Sequence, residues 1–365
     1  MASKEWQEDV FVGQRSTLQR SVVCTGHGQF PVMVRTGAMS LGIVYRYNGG
    51  HYGLDGTLAT SYSEDGGRSW SKSIPVVPSG EDVRNPAFGI NADGSWIVVY
   101  WKAGLHCYEE NDDDEMVWKW RTPAAQGEIP ALYVAMSHDQ GKSWIHQPPM
   151  LSKRLGIISP FGRIIRAADG ALLLAAYGRA RDAEMHSPFE LIVLRSEDEG
   201  LTWPHEYLVA PEHNEFSICV MPDGKILGAA RHHSDYTSMI SSADNGRTWT
   251  SPEVITRVDE HPADLTLLSS GKVLMTVGRR RRPMGCMALL SYDNGQHWDF
   301  TREALIACDG IGGTDLGYPS TVQLADGSIV TAIYYADGVG TGPFASDMLS
   351  CQVIRYTEEL FDLSA

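Results

Sequence analysis

Short apolar runs separated by turns recur along this chain, and their spacing is that of strands. Six segments share one layout, an apolar run, a turn and a second apolar run. They are PVMVRTGAMSLGIVYR from Pro31, PAFGINADGSWIVVYWK from Pro86, PFGRIIRAADGALLLAAYGR from Pro160, FSICVMPDGKILGAARHH from Phe216, PADLTLLSSGKVLMTVGRR from Pro262 and PSTVQLADGSIVTAIYY from Pro319. Four of the six carry Asp-Gly at the turn, a strong hairpin signal. No helical period persists, and no apolar run reaches the length of a membrane span.

A second repeat lies between the hairpins. Ser-x-Asp-x-Gly-x-x-Trp occurs five times, at Ser63 to Trp70, Ser137 to Trp144, Ser196 to Trp203, Ser242 to Trp249 and Ser291 to Trp298. Asp can bond the amides of its own turn, Gly can take positive φ, and Trp packs a large apolar plate beneath. Strand-like runs precede the copies, such as ALYVAM before Ser137 and ELIVLR before Ser196. A repeated pattern means a repeated supersecondary unit. The expected fold is all-β, a six-bladed β-propeller with four-stranded antiparallel blades, forming a single domain over residues 1–365. The sixth unit ends on MLSCQVIRY (Met348 to Tyr356) without a turn of this kind, and EDVFVGQ (Glu8 to Gln14) is expected to close the ring as its outer strand.

Composition fits such a ring. The chain has 365 residues, long for one domain, but propeller blades pack only on their neighbours. Hydrophobic residues make up 43% and there are ten Trp, ample material for packing between blades. The net charge of −15 argues against nucleic acid and against an anionic membrane surface as partners. Much of the acid is local, in YEENDDDEM (Tyr108 to Met116), inside an insertion over residues 103–128. That insertion reads as a solvated loop or as a lid rimmed by Trp118 and Trp120. Six scattered Cys show no metal-binding spacing, so they are expected to be mostly reduced and buried, and neither metal nor cofactor is expected. MASKEWQEDV has no apolar core of a leader peptide, so the expectation is a cytoplasmic protein, or a secreted one if a leader has been removed.

In a propeller the starts of the innermost strands meet at the axis on one face. Here those positions are His27 and Gln29, Arg84 and Asn85, Ser159, Asn214 and Glu215, His261, and Tyr318. The ends of the following strands add Arg46, Lys102, Arg179, Arg231 and Arg279. Cations, a carboxylate and a phenol thus gather on an acidic protein, which points to an anionic ligand held by Arg. Arg46 and Arg179 read rather as salt bridges between blades, and RRRR (Arg279 to Arg282) as loop surface plus one inward Arg.

The octapeptide resembles the Asp box of the sialidase (neuraminidase) superfamily, in which it joins the third and fourth strands of a blade, away from the active site. The resemblance covers most of the chain through the repeats and fewer positions in the site. It implies that NEFSICVMPDGKILGAAR supplies a catalytic Glu215 and a substrate-binding Arg231, that VGRR supplies Arg279, and that GYPSTVQLADGS supplies the nucleophile Tyr318. The segment RNPAFGINADG resembles the family's Gly-Asn-Pro stretch, with Arg84 in place of Gly. Where the family has Phe/Tyr-Arg-Ile-Pro, this chain has GQFPVMV, so Gln29 stands at the position of an Arg that grips the substrate carboxylate. Gln supplies neither the charge nor the fork. Arg84 or His27 is expected to replace part of that charge. The family's acid/base Asp falls in the Gly-rich loop NGGHYGLDG, where Asp55 is the nearest candidate and His51 its rival.

The chemistry stands on its own as well. A sugar with a carboxylate on its anomeric carbon repels a carboxylate nucleophile, whereas neutral Tyr318 can attack if Glu215 takes its proton. The expectation is a glycoside hydrolase acting on an acidic sugar or glycan, with altered substrate relative to a standard sialidase; the sequence does not set the oligomeric state. The alternatives are a uronate-polysaccharide lyase, which Gln29, His27, His232, His261 and Tyr318 would suit, and a carbohydrate-binding propeller without turnover.

Overall fold

The computed structural model describes residues 18–48, 51, 53–77, 81–103, 108–110, 116–118, 131–184, 187–310, 314–336 and 349–362. It is built from antiparallel strands, and among these residues no helix is long and apolar enough to cross a membrane. The expected outer strand Glu8 to Gln14, the acidic run's side chains, Trp118's side chain and Trp120 lie outside the described part.

Four sheets have four strands each. The first runs Gln29–Arg35, Leu41–Tyr47, Thr57–Ser63, Ile74–Pro75 from axis to rim. Two others begin on the inner strands His213–Val220 and Glu260–Leu267. The last begins on Leu316–Gln323, continues through Ile329–Tyr335 and Ser350–Tyr356, and takes Gln19–Thr25 as its outer strand. The chain is therefore closed by residues beyond the stretch that the sequence suggested.

The expectation of six separate four-stranded blades needs correction. The second and third hairpin units, on inner strands Asp82–Ile90 and Leu155–Arg166, share one nine-stranded sheet. Gly162 and Arg163 pair in parallel with Ala87 and Phe88. Gly89 permits this approach, because a Cβ there would lie 2.8 Å from Cβ and O of Ile164. Hairpin signals report antiparallel neighbours and carry no information on such a lateral parallel pairing.

Apolar clusters join each unit to the next and the last to the first. Met33, Leu41 and Ile43 pack with Val322, Val330 and Val353, for example, and Leu274, Ala288 and Leu290 with Ile329, Ile333 and Ile354. Arg46 and Asp82, both fully buried and 2.6 Å apart, bridge the first unit to the second. On the axis Arg163 stitches three inner strands. It donates to Asp264 Oδ1 at 2.9 Å, to the Leu265 carbonyl at 2.7 Å and to the Thr321 carbonyl. Asp264 also accepts from Ser217 Oγ at 2.5 Å and from the Thr321 amide at 2.6 Å.

The five Ser-x-Asp-x-Gly-x-x-Trp turns follow third strands, toward the rim. In each, the Asp carboxylate accepts from the Ser at its start and from the amide four residues on, as Asp139 does from Ser137 Oγ at 2.8 Å and from the Ser143 amide at 2.9 Å. The Ser143 hydroxyl and amide, then Ser137, hold the Asp139 carboxyl down at about 2.

Candidate active site

The inner strands deliver their side chains to the axis by breaking register. Pairing slips between Gln29 and Val32, Arg84 and Ala87, His213 and Phe216, Glu260 and Ala263, and Gly317 and Ser320. Such a bulge bends the strand and re-aims a side chain. Phe30, Asn85 and Tyr318 sit in these slips with φ of 54°, 46° and 48°, each just before a Pro. A left-handed non-glycine residue costs about 1–3 kcal/mol, so the surrounding fold must enforce it. The three converge on a cavity of about 330 Å³ at the ring's centre, lined by Tyr318, Glu215, Arg231, Arg84, Arg280, Asn85, Asn214, Ser159, His51 and the rings of Phe30, Trp101, Tyr177 and Phe189.

Tyr318 Oη donates to Glu215 Oε1, and Glu215 Oε2 accepts from Arg231 Nη1 at 3.0 Å. These groups come from positions 103 apart in sequence. Burial, then the Glu215 charge, raises the Tyr318 phenol well above its ordinary value, against the pull of Arg231 and Arg280. The phenol is therefore neutral with its proton aimed at a carboxylate. Burial works against the Arg231 charge, but Glu215 and Asp235 outweigh it and its value is raised. Arg231 Nη2 lies 2.8 Å from Asp235 Oδ1.

Three guanidinium groups face the cavity. Arg84 is 2.8 Å from Asp82 and lies over Trp101 at 4.5 Å. Arg280 lies over the Tyr318 ring at 5.6 Å, and its Nε and Nη2 are buried with no hydrogen-bond partner among the described residues. His51 Nδ1 is 3.0 Å from Asp315 Oδ2, and Tyr334 Oη donates to Asp315 Oδ1 at 2.5 Å. Burial acts to raise the Asp315 carboxyl, but the bonds from His51 and Tyr334 prevail and hold it below its ordinary value.

The structure brings together Tyr318, Glu215, Arg231 and Arg84. The cavity lining does not include Asp55, Arg279, Gln29, His27 or His261. Asp55 is exposed on its loop. Arg279 is 1% exposed, pairs across the sheet with Glu260 and donates to the Arg282 carbonyl at 3.2 Å. Side chains alternate along a strand, so the next residue, Arg280, faces the cavity instead. Gln29 is buried opposite Arg46, and Phe30 takes its place at the axis. His27 packs on Tyr47 at 4.0 Å, and burial lowers its value. His261 lies behind Arg231, with Nε2 3.3 Å from Asp235 Oδ1. Burial, then the Arg231 and Arg280 charges, pushes it down to about 2, so it is neutral. Sequence reasoning missed Arg280, Trp101, Tyr177 and Phe189. Strand alternation applied residue by residue would have found Trp101 and Tyr177, neighbours of Lys102 and two before Arg179.

Two groups could hold a cation by spacing, Asp235 with Asp259 and His261, and Glu212 with His232 and His233. The first has the Arg231 charge on its Asp235 carboxylate, and in the second His232 Nδ1 accepts from the Ser234 amide at 3.1 Å. Both arrangements compete with a metal ion.

Residues 111–331 match the family model described as a BNR repeat-like domain, well over half of the chain. The chain belongs to the BNR repeat-like family. Among solved structures, the BNR repeat-like chain is similar to a protein of unknown function from Dyadobacter fermentans DSM 18053, with a TM-score of 0.71 and 20% identity over 93% of this chain and 99% of that one. It is similar to the Hadza microbial sialidase Hz136, at 0.68 and 18% over 92% and 66%, and to a Trypanosoma rangeli sialidase mutant displaying trans-sialidase activity, at 0.66 and 15% over 96% and 60%. The chain thus spans about two thirds or less of these sialidases' own length. At these identities the likeness establishes the fold, a sialidase-type all-β propeller. No curated protein matched the sequence.

Proposed function

We propose that this BNR repeat-like protein is a glycoside hydrolase that cleaves an acidic sugar from its aglycone, with Tyr318 as nucleophile and Glu215 as the base that takes its proton. We read the nine-stranded sheet as two units of a six-unit ring, so that all six units serve one site, five through their inner strands and the fifth unit through Arg280. The observation that carries the reading is the neutral Tyr318 hydroxyl donating to Glu215 inside a cavity lined by Arg84, Arg231 and Arg280. A neutral nucleophile with its own base suits a sugar whose negative charge repels a carboxylate. The arginines, above all Arg280, whose Nε and Nη2 have no hydrogen-bond partner among the described residues, suit that negative charge. Trp101 and Phe189 offer apolar faces to a sugar ring.

A panel of aryl glycosides of acidic sugars, sialosides and uronides among them, tests this. Wild type should release the aryl group from at least one, and Tyr318→Phe, which deletes only an oxygen, should fold normally and lose most of that turnover. Full activity in Tyr318→Phe, or release of an unsaturated uronate absorbing in the ultraviolet, overturns the reading. The lyase alternative has little support, because His27, His232 and His261 are not among the cavity's lining residues.

A further inference from the structure

Resting on that reading, we infer that His51, held by Asp315, is the general acid and base of the reaction, in place of the exposed Asp55. His51 lines the cavity, and Phe30 ties it to the nucleophile, for its ring meets His51 edge-on at 5.0 Å and Tyr318 at 5.1 Å. His51 and Tyr318 therefore share one wall. Nδ1 is engaged by Asp315, so the proton work falls to Nε2. A carboxylate fixed on one ring nitrogen sets the tautomer and supports the charged ring, the same logic that orients catalytic histidines elsewhere. Asp315 is itself fixed, by the Tyr334 hydroxyl, and Tyr334 packs on both Phe30 and Tyr318 at 5.6 and 5.5 Å. Among the described residues, the other charges in the same cavity lining are Arg280, which also acts on Asp315, and Glu215, Arg231 and Arg84.

The steps balance. Tyr318 Oη bonds to the anomeric carbon and its proton passes to Glu215. The carbon–oxygen bond to the aglycone breaks, its electron pair stays on that oxygen, and His51 Nε2 delivers the proton. Neutral His51 then takes a proton from water as the water oxygen attacks the anomeric carbon. The bond to Tyr318 breaks, and Glu215 returns the proton to the phenol. A histidine acid also sets a substrate class. A positioned proton donor matters most for alkyl and glycosyl leaving groups, which depart poorly as anions.

The experiment compares two glycosides of one acidic sugar that wild type cleaves, one leaving as a nitrophenol and one as an alcohol or sugar. His51→Gln should lose about 10²–10⁴-fold in kcat/KM on the poor leaving group. On the nitrophenyl glycoside, which needs no acid to depart, it should lose far less in its first step. Asp315→Asn should lose less than His51→Gln and keep the same dependence on the leaving group, because the carboxylate fixes the ring's tautomer and orientation. Azide, supplied as an external nucleophile, should restore turnover of the nitrophenyl glycoside by His51→Gln. Equal losses on both substrates by folded His51→Gln, no loss on either, or a leaving-group-dependent loss in Asp55→Asn overturn the assignment while leaving the hydrolase reading intact. Wild type that cleaves no acidic glycoside overturns the hydrolase reading and this inference with it.

Discussion

Replacing Arg163 by Met should destabilise the ring in a pH-dependent way. Arg163 and Asp264 are 14% and 7% exposed, 2.9 Å apart on the axis. Met keeps much of the side chain's length and removes its charge and donors. Among the described residues Asp264 then keeps Ser217 Oγ and the Thr321 amide as donors. Stranding one member of a buried pair costs about 3–5 kcal/mol. Unfolding entropy near ~2.1 cal/mol/K per residue gives about 0.8 kcal/mol/K for 365 residues, so Tm should fall by roughly 4–7 °C. Burial already raises the Asp264 carboxyl against the opposing Arg163 charge. Without that charge the folded protein holds the Asp264 proton at pH values where the unfolded chain has released it. Stability then falls as pH rises, so the deficit should be larger at about pH 8 than at about pH 5. Asp264→Asn added to the variant keeps an acceptor for Thr321 and removes the charge, and it should abolish the pH dependence. Thermal melts by circular dichroism at both pH values read all of this. An unchanged Tm, or a deficit equal at both, would refute the electrostatic account of the axis.

Arg280→Met should weaken binding of an acidic monosaccharide by about 10-fold or more, measured by calorimetry, because it removes a cavity cation. Arg279→Met should instead lower Tm, since that side chain is buried in the sheet; the opposite pattern would reverse their assignment. Asp139→Ala should lower Tm by a few degrees and leave KM unchanged, because its bonds hold a rim turn. The carboxyls of Asp65, Asp139, Asp244 and Asp293 sit at about 2 in the folded protein against 3.8 when free. Their stabilisation is complete above about 3.8 and is lost as pH falls through about 2, so acid titration of Tm should show its steep part in that window, and a steep part only above it would count against these turns.

The parts of this molecule legible in sequence are those written in local pattern. The Asp-Gly hairpins and the five turns place most strands, and the rule that inner-strand starts meet at the axis joins Tyr318 to Glu215 across 103 positions. What local pattern lacks is direction at a strand's end. Arg279 and Arg280 are indistinguishable as VGRR, and only the pairing of Arg279 with Glu260 decides which faces inward. NGGHYGLDG has no period, so nothing in it ranks His51 above Asp55. QRSVVCT, the closing strand, has no alternation, with Gln19, Val22 and Thr25 exposed and the rest half-buried, and reads no better than EDVFVGQ. Arg163 and Asp264 look like ordinary strand residues until three inner strands bring their partners together.

The pairing of Gln19–Thr25 with Ser350–Tyr356 has a consequence for how the protein is made. Arg20 meets Gln352 across 332 positions. At a synthesis rate of about 5–20 residues per second, the first strand leaves the ribosome on the order of tens of seconds before its partner exists. During that time the apolar face of the first unit, with Met33, Leu41 and Ile43, waits for Val322, Val330 and Val353. Nascent chains of this protein therefore carry an open strand edge and an uncovered apolar face throughout elongation. Both recruit other chains, so its yield in a cell should depend on shielding by chaperones and on the speed with which the unit from Leu316 to Tyr356 is translated, more than on the stability of the finished ring.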